Sequence, residues 1–225
     1  MGPMRPMQHG YTNHTVGDAA TVEKTYQGPD AALRLAREHE ALLALHGRLP
    51  VPAVHEARPD TLVLQRLPGT HGQELIEQGH AAHVLRACGS VLRLLHLVPD
   101  TALGQRGRAG DVVVHGDFGP NNALLDPATY TVTALLDWEF SHLGDPIEDL
   151  AWCEWIIRTH HPEHIDALSE LYTGYGRPAP AWPDRQAAML DKCVELERFC
   201  QRWQPDGAAV QLWKDRATAT ARWRE

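Results

Sequence analysis

The stretch VVVHGDFGPNNALLDP, residues 112–127, constrains the fold more than any other part of the chain. Its three valines have the β-branched composition of a buried strand. They run directly into a His, an Asp and two Asn. Polar side chains at the end of an apolar strand need hydrogen-bond partners or water, because burying them unpaired costs free energy. We therefore expect the fold to gather these groups around a ligand or in a dense polar turn.

The residues after this strand predict a β-hairpin with polar groups at its open end. Asn122 precedes the short apolar strand ALL, Asp126 and Pro127 open a turn, and TVTALLDWEF returns as the antiparallel partner. This pairing would place Asn122 and Asp137 side by side, with Asp117 over the same spot. An amide oxygen and a carboxylate make a hard oxygen site suited to Mg²⁺, and a second carboxylate can accept a proton from a hydroxyl. The alternative is a polar turn network without a metal, since Asp and Asn favour turns for local reasons.

A second constellation lies on the helix predicted over residues 30–45. At the α-helical period, Glu38 falls in the middle of the apolar face of this helix. The other residues on that face are Ala31, Leu35, Leu42 and Leu45. A buried carboxylate is costly unless it is paired, and the natural partner is Lys24 in the preceding strand TVEKTY. The alternative is that Glu38 lies at the rim of the face and reaches water.

The remaining pattern predicts an α+β chain with two lobes. The first part is β-rich, with two short strands around a turn at Gly17 and Asp18, an extended connector over 49–57 and a strand over 61–69. Helices dominate afterwards, over residues 81–97, 147–158, 164–175 and 185–203. We place the boundary between a smaller N-terminal lobe, 1–68, and a larger, mostly helical lobe, 69–225. Clefts between lobes are favoured ligand sites.

Composition disfavours several classes of function. The formal net charge of −8 argues against a nucleic-acid partner, which would need a basic surface. No apolar run approaches the ~18 residues of a membrane span, and the first ten residues lack the apolar segment of a signal peptide. The four cysteines form no C-x-x-C pair and are expected to be reduced. We expect a cytoplasmic monomer or homodimer with no membrane or nucleic-acid partner.

Five motifs together identify a family. They are REHEALLALHGRLPVPAV, LQRLPGT, VHGDFGPNNALL, LLDWEF and GDPIEDLAW, and they span roughly residues 10–160 in this order. With them the chain resembles the aminoglycoside phosphotransferase and choline kinase family of small-molecule kinases. The resemblance implies a bilobed, protein-kinase-like fold with a small β-rich N-terminal lobe and a larger helical C-terminal lobe.

The resemblance also implies roles for individual residues. Asp117 matches the catalytic base, Asn122 and Asp137 match the ligands of Mg²⁺, and His115 matches the structural His of the catalytic loop. Lys24 matches the lysine that contacts the α- and β-phosphates of ATP or GTP. The remaining residues implied in nucleotide binding are Glu38 as partner of that lysine, Gln65 and Leu67 in the hinge beside the base, and Asn13, His14 and Thr15 at the tip of a loop, GYTNHTVG.

This loop lacks the G-x-G-x-x-G pattern of protein kinases, so backbone amides and Thr hydroxyls would hold the phosphates.

The segment GDPIEDLAW gives Asp145 a structural role. Asp145 as N-cap, Pro146 at the first helical position and Glu148 three residues after the cap form a helix start. Asp149 either faces the catalytic loop or favours the helix N-terminus. Trp152 and Trp155 of the same helix are expected in the core. Acidic groups of the C-terminal lobe hold cationic amines in the family, so candidate substrate-binding residues are Asp149, Glu154 and Glu195.

The function that the resemblance implies is transfer of the γ-phosphate of ATP or GTP to a hydroxyl of a small, cationic molecule. An aminoglycoside-type antibiotic is the first candidate acceptor, and choline-like amino alcohols or sugars come next. A rival reading is a catalytically silent, kinase-like nucleotide-binding module. The complete set of Lys24, Glu38, Asp117, Asn122 and Asp137 argues against it. A protein kinase is disfavoured because WEFSHLG, after this last Asp, is too short to dock a peptide.

Overall fold

The computed structural model describes residues 4–6, 13–104 and 107–225. An antiparallel five-stranded sheet of order β1-β2-β3-β5-β4 and one helix make up its first part. The elements are β1 (Arg5–Pro6), β2 (His14–Gly17), β3 (Thr21–Thr25), α1 (Ala31–Leu45), β4 (Val54–Ala57) and β5 (Thr61–Gln65). The predicted strand pair and helix are confirmed. The predicted connector over 49–57 contains an additional edge strand, β4, which pairs with β5.

Local chemistry accounts for the first elements. Asp18 Oδ1 accepts the backbone N–H groups of Ala20 and Thr21, both at 2.8 Å, and so closes the turn between β2 and β3. On α1 the buried residues recur at helical spacing, which is why this face packs under the sheet. They are Arg34, Glu38, Ala41, Leu42 and Leu45.

The second part of the chain is mostly helical, as predicted. Its helices are α2 (Gly72–Glu77), α3 (Ala81–Leu95), α4 (Ile147–His160), α5 (Leu168–Tyr175), α6 (Trp182–Trp203) and α7 (Ala208–Arg222). Its strands are β6 (Thr70–His71), β7 (Val112–Val114), β8 (Ala123–Leu125), β9 (Val132–Leu135) and β10 (His142–Gly144). The short α2 and β10 and the whole of α7 were not predicted. In α7 only Val210 and Thr220 are buried, so its sequence carries little apolar periodicity.

The predicted hairpin is present and sets the position of the polar turn. β8 pairs with β9 in an antiparallel ladder, and β7 pairs with β10. Leu136 N–H donates to the Asn122 carbonyl at 2.9 Å, just past the open end of the hairpin. Asn122 and Asp137 therefore leave neighbouring strands at the same edge.

The last turns of α6 contact the β-rich lobe directly. Arg202 forms an ion pair with Asp30 at 2.9 Å. The Trp203 indole packs on Gly28, where an added Cβ would lie 2.7 Å from the ring. The bilobed, kinase-like α+β fold is confirmed, while a boundary at residues 68/69 stays a prediction. Among the described residues, no helix combines the length and apolar character needed to cross a bilayer.

Candidate active site

The polar groups predicted from the sequence meet at a cleft between the five-stranded sheet and the β8–β9 hairpin. The cleft has a volume of about 810 Å³. Residues from both lobes line it. Those predicted for nucleotide or metal binding are Asn13, Thr15, Lys24, Glu38, Gln65, Leu67, Asn122 and Asp137.

Lys24 is the centre of a buried ion network on the wall of this cleft. Its Nζ lies 2.6 Å from Glu38 Oε2, 2.5 Å from Asp137 Oδ1 and 4.0 Å from Glu139 Oε2. Tyr26 donates its hydroxyl to the same Glu38 oxygen at 2.5 Å. Burial alone would lower the pKa of Lys24, but the three carboxylates, that of Asp137 first, raise it well above its ordinary value. The predicted contact with Glu38 is present, and that carboxylate is 1% exposed rather than at the rim.

A second buried cation, Arg34, lies one helical turn before Glu38. Its Nη1 donates to Glu139 Oε2 at 2.6 Å and to Asn13 Oδ1 at 3.2 Å. Asn13 Nδ2 donates to the same Glu139 oxygen at 2.8 Å. Burial and the neighbouring Asp137 raise the pKa of Glu139 to about 7, against the opposing effect of the cations. This network joins α1 to the start of β2 and to the segment after β9.

Arg34 and Glu139 were not predicted as parts of the site. The sequence does carry a signal for them. Arg34 and Glu38 are opposite charges one turn apart on an otherwise apolar helix face. Glu139 follows Asp137 by two residues, where an apolar strand ends. A buried charge of each sign on facing elements predicts a pair.

The turn after β7 is held from behind by Asp149 of α4. Its Oδ2 accepts the His115 N–H at 2.8 Å and its Oδ1 accepts the Gly116 N–H at 2.9 Å. His96 Nε2 lies 3.2 Å from the same Oδ2. Burial would raise the pKa of Asp149, but the hydrogen bonds from His96 and the backbone hold it below its ordinary value. Asp149 therefore stays charged and fixes two consecutive peptide groups before Asp117.

The shape of this turn requires glycine at position 116. Gly116 has φ +81°, and an added Cβ would collide with the Phe140 carbonyl oxygen. The fully buried His115 ring braces the same turn, with Nε2 2.9 Å from the Leu136 carbonyl. Its Nδ1 accepts the Asp117 N–H at 3.3 Å. The structural role expected of His115 agrees with this placement.

Asp117 is half-buried and its carboxylate is held by two uncharged donors. Trp152 Nε1 donates to Oδ1 at 2.8 Å. Asn122 Nδ2 donates to Oδ2 at 3.2 Å and to the Asp117 carbonyl at 2.8 Å. Burial first, and then the charge of Asp137, raise the pKa of Asp117. A carboxylate with a raised pKa is a better proton acceptor than a solvated one, so this arrangement can act as a general base.

The segment after β5 forms one wall of the cleft. The Gln65 N–H donates to the Ala53 carbonyl at 2.8 Å, and the Arg66 N–H donates to the Ala20 carbonyl at 2.9 Å. Both peptide N–H groups are therefore already hydrogen-bonded to carbonyls of the N-terminal lobe. Gln65 and Leu67 line the cleft beside them, as expected of a hinge.

Comparison with known families agrees with this geometry. A model described as "Phosphotransferase enzyme family" matches residues 4–111 and 106–188, which together make up most of the chain. The chain belongs to the phosphotransferase enzyme family. The resemblance drawn from the five motifs is confirmed.

Solved structures of similar fold include proteins named as aminoglycoside phosphotransferases and as macrolide phosphotransferases. The GDP complex of wild-type aminoglycoside 2'-phosphotransferase-IIIa superposes with a TM-score of 0.76 at 12% identity, covering 97% of this chain and 92% of that chain. Macrolide 2'-phosphotransferase MphH from Brachybacterium faecium gives a TM-score of 0.66 at 20% identity, covering 99% and 93%. At these identities the likeness is one of fold alone.

Curated relatives match over shorter stretches. An aminoglycoside 3'-phosphotransferase of Streptomyces ribosidificus is 30% identical over 172 residues, covering 54% of this chain and 65% of that protein. Acyl-CoA dehydrogenase family member 10 of Mus musculus is 50% identical over 40 residues, which are 18% of this chain and 4% of that relative. The chain therefore spans only a small part of this much longer relative.

The structure differs from the predicted phosphate-binding loop in the position of its tip. Asn13, His14 and Thr15 do not form a loop tip, because β2 begins at His14 and pairs Thr15 with Lys24. Side chains alternate along a strand, so Thr15 lines the cleft while His14 is exposed and lies outside its lining. Residues 10–12 of the predicted loop lie outside the described residues.

Two acidic residues predicted to bind substrate are buried and fully engaged by the protein. Asp149 holds the turn described above. Glu154 accepts Arg158 Nε at 2.8 Å, the Tyr172 hydroxyl at 2.6 Å and Arg185 Nη1 at 2.8 and 2.6 Å. Both residues are 0% exposed and tie structural elements together, and their predicted roles in substrate binding stay predictions.

Glu195 and Asp145 have different outcomes. Glu195 is exposed on α6 and pairs with Lys192 at 2.9 Å, so its role in substrate binding stays a prediction. Asp145 Oδ1 accepts the Ile147 N–H at 2.9 Å, and Glu148 Oε1 accepts the Asp145 N–H at 2.9 Å. This reciprocal pair is the predicted capping arrangement at the start of α4.

Proposed function

We propose that the protein is a small-molecule kinase that transfers the γ-phosphate of ATP or GTP to a hydroxyl of a small, cationic acceptor. An aminoglycoside-type antibiotic is the first candidate acceptor. In this proposal Asp117 is the base, and Asn122 and Asp137 hold Mg²⁺. Lys24, oriented by Glu38, contacts the α- and β-phosphates.

One observation carries the proposal, namely that Lys24, Asn122 and Asp137 from three segments line one cleft, and that Asn122 also contacts Asp117 just behind this lining. Lys24 meets Asp137 at 2.5 Å, and Asn122 meets Asp117 at 3.2 Å. The backbone of Asn122 is hydrogen-bonded to the residue before Asp137. Phosphoryl transfer depends mainly on positioning and on neutralising the phosphate charge. A fixed cation, oxygen ligands and a base in this order satisfy both needs.

The residues present fit a magnesium ion. Glu38, Asp137 and Glu139 each offer an oxygen within 4.8 Å of the others. Glu38 already accepts hydrogen bonds from Lys24 and Tyr26. Asn122 directs its amide nitrogen toward Asp117, so its amide oxygen faces the other way and can serve as a ligand. Asp137 and Asn122 are therefore the favoured ligands. A bound Mg²⁺ would neutralise charge on the phosphates, while Asp117 orients the acceptor hydroxyl and takes its proton.

The nucleotide base would lie against the segment of Gln65 and Leu67. Because the N–H groups of Gln65 and Arg66 are already used, the Leu67 N–H is the favoured peptide donor to the base. Thr15 on the facing strand lines the phosphate side of the cleft. Its hydroxyl is a candidate donor to the phosphates in the absence of a G-x-G-x-x-G loop.

The test is Mg²⁺-dependent release of ADP or GDP across a panel of acceptors. The panel contains aminoglycosides, macrolides, choline-like amino alcohols and sugars, and Asp117→Asn is the control protein. Acceptor-dependent release that is absent in the control supports the proposal and identifies the acceptor class. Nucleotide binding without turnover on any acceptor would favour the silent nucleotide-binding module. Failure to bind either nucleotide with Mg²⁺ would overturn the proposed site.

We also propose that the enzyme is a cytoplasmic monomer or homodimer. The acidic net charge of −8 supports a cationic small-molecule partner rather than a nucleic acid. Light scattering of the purified protein distinguishes the two oligomeric states.

A further inference from the structure

The proposed base is in contact with an aromatic side chain to which the sequence motifs assign no catalytic role. Trp152, in the second turn of α4, donates its indole N–H to Asp117 Oδ1 at 2.8 Å. An indole has one donor and no acceptor, so this contact uses the whole polar capacity of Trp152. Trp152 is only 5% exposed and does not line the nucleotide cleft. Its position was expected from core packing, but its polar edge points at the carboxylate.

The orientation of this indole is fixed by a stack of aromatic rings. Trp152 stacks on Trp155 with ring centroids 4.4 Å apart and planes 8° apart. Trp155 Nε1 donates to Thr220 Oγ1 of α7 at 2.9 Å. Trp213, also on α7, lies 5.6 Å from the Trp155 ring. The stack therefore anchors Trp152 to two helices, and its N–H cannot follow Asp117 if the carboxylate rotates.

The two donors to Asp117 are not equivalent. The contact from Trp152 is shorter, at 2.8 Å, than that from the Asn122 amide, at 3.2 Å. Hydrogen bonds to a carboxylate are stronger than those between neutral groups. A carboxylate oxygen has two acceptor sites, so each oxygen of Asp117 keeps one. Oδ2 is the more available of the two for the acceptor hydroxyl because its contact with Asn122 is the longer one.

We propose that Trp152 is a positioning residue that holds Asp117 Oδ1 and thereby presents Oδ2 to the acceptor hydroxyl. This inference rests on the proposed function of Asp117 as the base. In the part of the chain that the structure describes, the indole bonds to Asp117 and packs on Trp155 and Trp213, so it acts on the proton-transfer geometry and not on nucleotide affinity. A base displaced from its productive geometry loses rate even though its chemistry is unchanged.

The kinetic test compares Trp152→Phe with the matched variant Trp155→Phe. Both changes keep an aromatic ring in the stack and remove one indole hydrogen bond, but only the first removes a bond to Asp117. Trp152→Phe is expected to lower kcat about ten- to hundredfold with an unchanged KM for the nucleotide. Trp155→Phe leaves the bond to Asp117 in place and only loosens the stack, so it is expected to lower kcat less than Trp152→Phe does. Equal kcat values in the two variants would overturn the inference.

A spectroscopic test covers the case in which Trp152→Phe does not fold. The chain has seven tryptophans, and the indole N–H resonance of Trp152 is assigned in the unaltered protein from its own ring protons. Asp117→Ala is expected to move this resonance upfield and to leave that of Trp155 in place. An unmoved Trp152 resonance would overturn the inference. A moved resonance in a protein without turnover would count against the proposed function but not against the contact.

Discussion

The proposed nucleotide side and the proposed base side of the site are built from different chemistry. Around Lys24 the contacts are ionic and buried, with carboxylates from α1 and from the segment after β9. Around Asp117 the donors are uncharged, namely an indole and a primary amide. The first arrangement suits a highly charged ligand. The second orients the proposed base through uncharged donors, although the charge of Lys192 opposes the rise in the pKa of Asp117.

The two sides also differ in where their residues come from. Lys24, Glu38 and Asp137 lie on elements that the sequence pattern marks clearly. The base side depends on Trp152, whose orientation depends in turn on α7, a helix without a motif.

The largest effect expected in this comparison comes from the base itself. Asp117→Asn keeps the shape of the side chain and can still accept the Trp152 N–H, but it cannot take a proton. Phosphate transfer is expected to fall about 10²–10⁴-fold with unchanged nucleotide affinity. Product release assays and calorimetric nucleotide titration check the two parts separately. Retained turnover would remove Asp117 from its proposed role.

The next effect contrasts a buried lysine with an exposed one. Lys24→Met leaves the buried Glu38 without its cation and is expected to lower the free energy of unfolding by about 3–5 kcal/mol. The control is Lys214→Met, whose side chain is 51% exposed and lies 3.9 Å from Glu197. Breaking such an exposed pair is expected to cost less than about 1 kcal/mol. Urea unfolding of both variants measures the difference, and equal losses would contradict a buried network at Lys24.

A smaller effect separates structure from substrate binding within the larger lobe. Glu154→Gln weakens charged hydrogen bonds to Arg158, Arg185 and Tyr172 and is expected to cost about 2–3 kcal/mol in unfolding free energy. Turnover per folded molecule is expected to stay the same. The control is Glu163→Gln, because the Glu163 side chain is 62% exposed and was not predicted to bind substrate. A raised acceptor KM in Glu154→Gln alone would show that this carboxylate contributes to the acceptor site after all.

The smallest expected effect is a pH dependence of stability, and it comes from a pair of side chains behind the turn after β7. His142 lies 2.9 Å from Glu148, and this hydrogen bond raises the pKa of His142 above 6.5, against the effect of burial. The stabilisation is fully present below pH 6.5 and is lost as the pH rises through the higher folded pKa. Because both side chains are partly exposed, it is worth less than about 1 kcal/mol. His142→Gln is expected to flatten the dependence of the melting temperature on pH over this range, and an unchanged slope would exclude the pair as its cause.

Most of the nucleotide side was predictable because its signals are local. The β8–β9 register follows from short apolar runs on either side of the Asp126–Pro127 turn, and it places Asn122 beside Asp137. The partnership of Lys24 and Glu38 follows from a charge on an apolar helix face. Contacts of this kind need only the period of one element and the identity of its neighbour.

The remainder was not predictable because its partners are distant in sequence and lie on different elements. Asn13 and Glu139 are separated by 126 residues. Glu154 resembles a solvated helix residue until Arg185 and Tyr172 close around it. His14 and Thr15 differ only in which face of β2 they occupy, which depends on where the strand begins. Tertiary packing decides each of these cases.

The contact of α6 with the β-rich lobe is expected to restrict how the two lobes of this protein move. Besides the covalent connection after β5, Arg202 and Trp203 attach the lobes at Asp30 and Gly28. A rigid body hinged at one point can turn about any axis, but one fastened at two points keeps only the rotation about the line between them. The lobes are therefore expected to rock open along a single coordinate. Nucleotide and acceptor would then enter through the same opening between the lobes. The movement that releases one product would therefore also expose the other product to solvent.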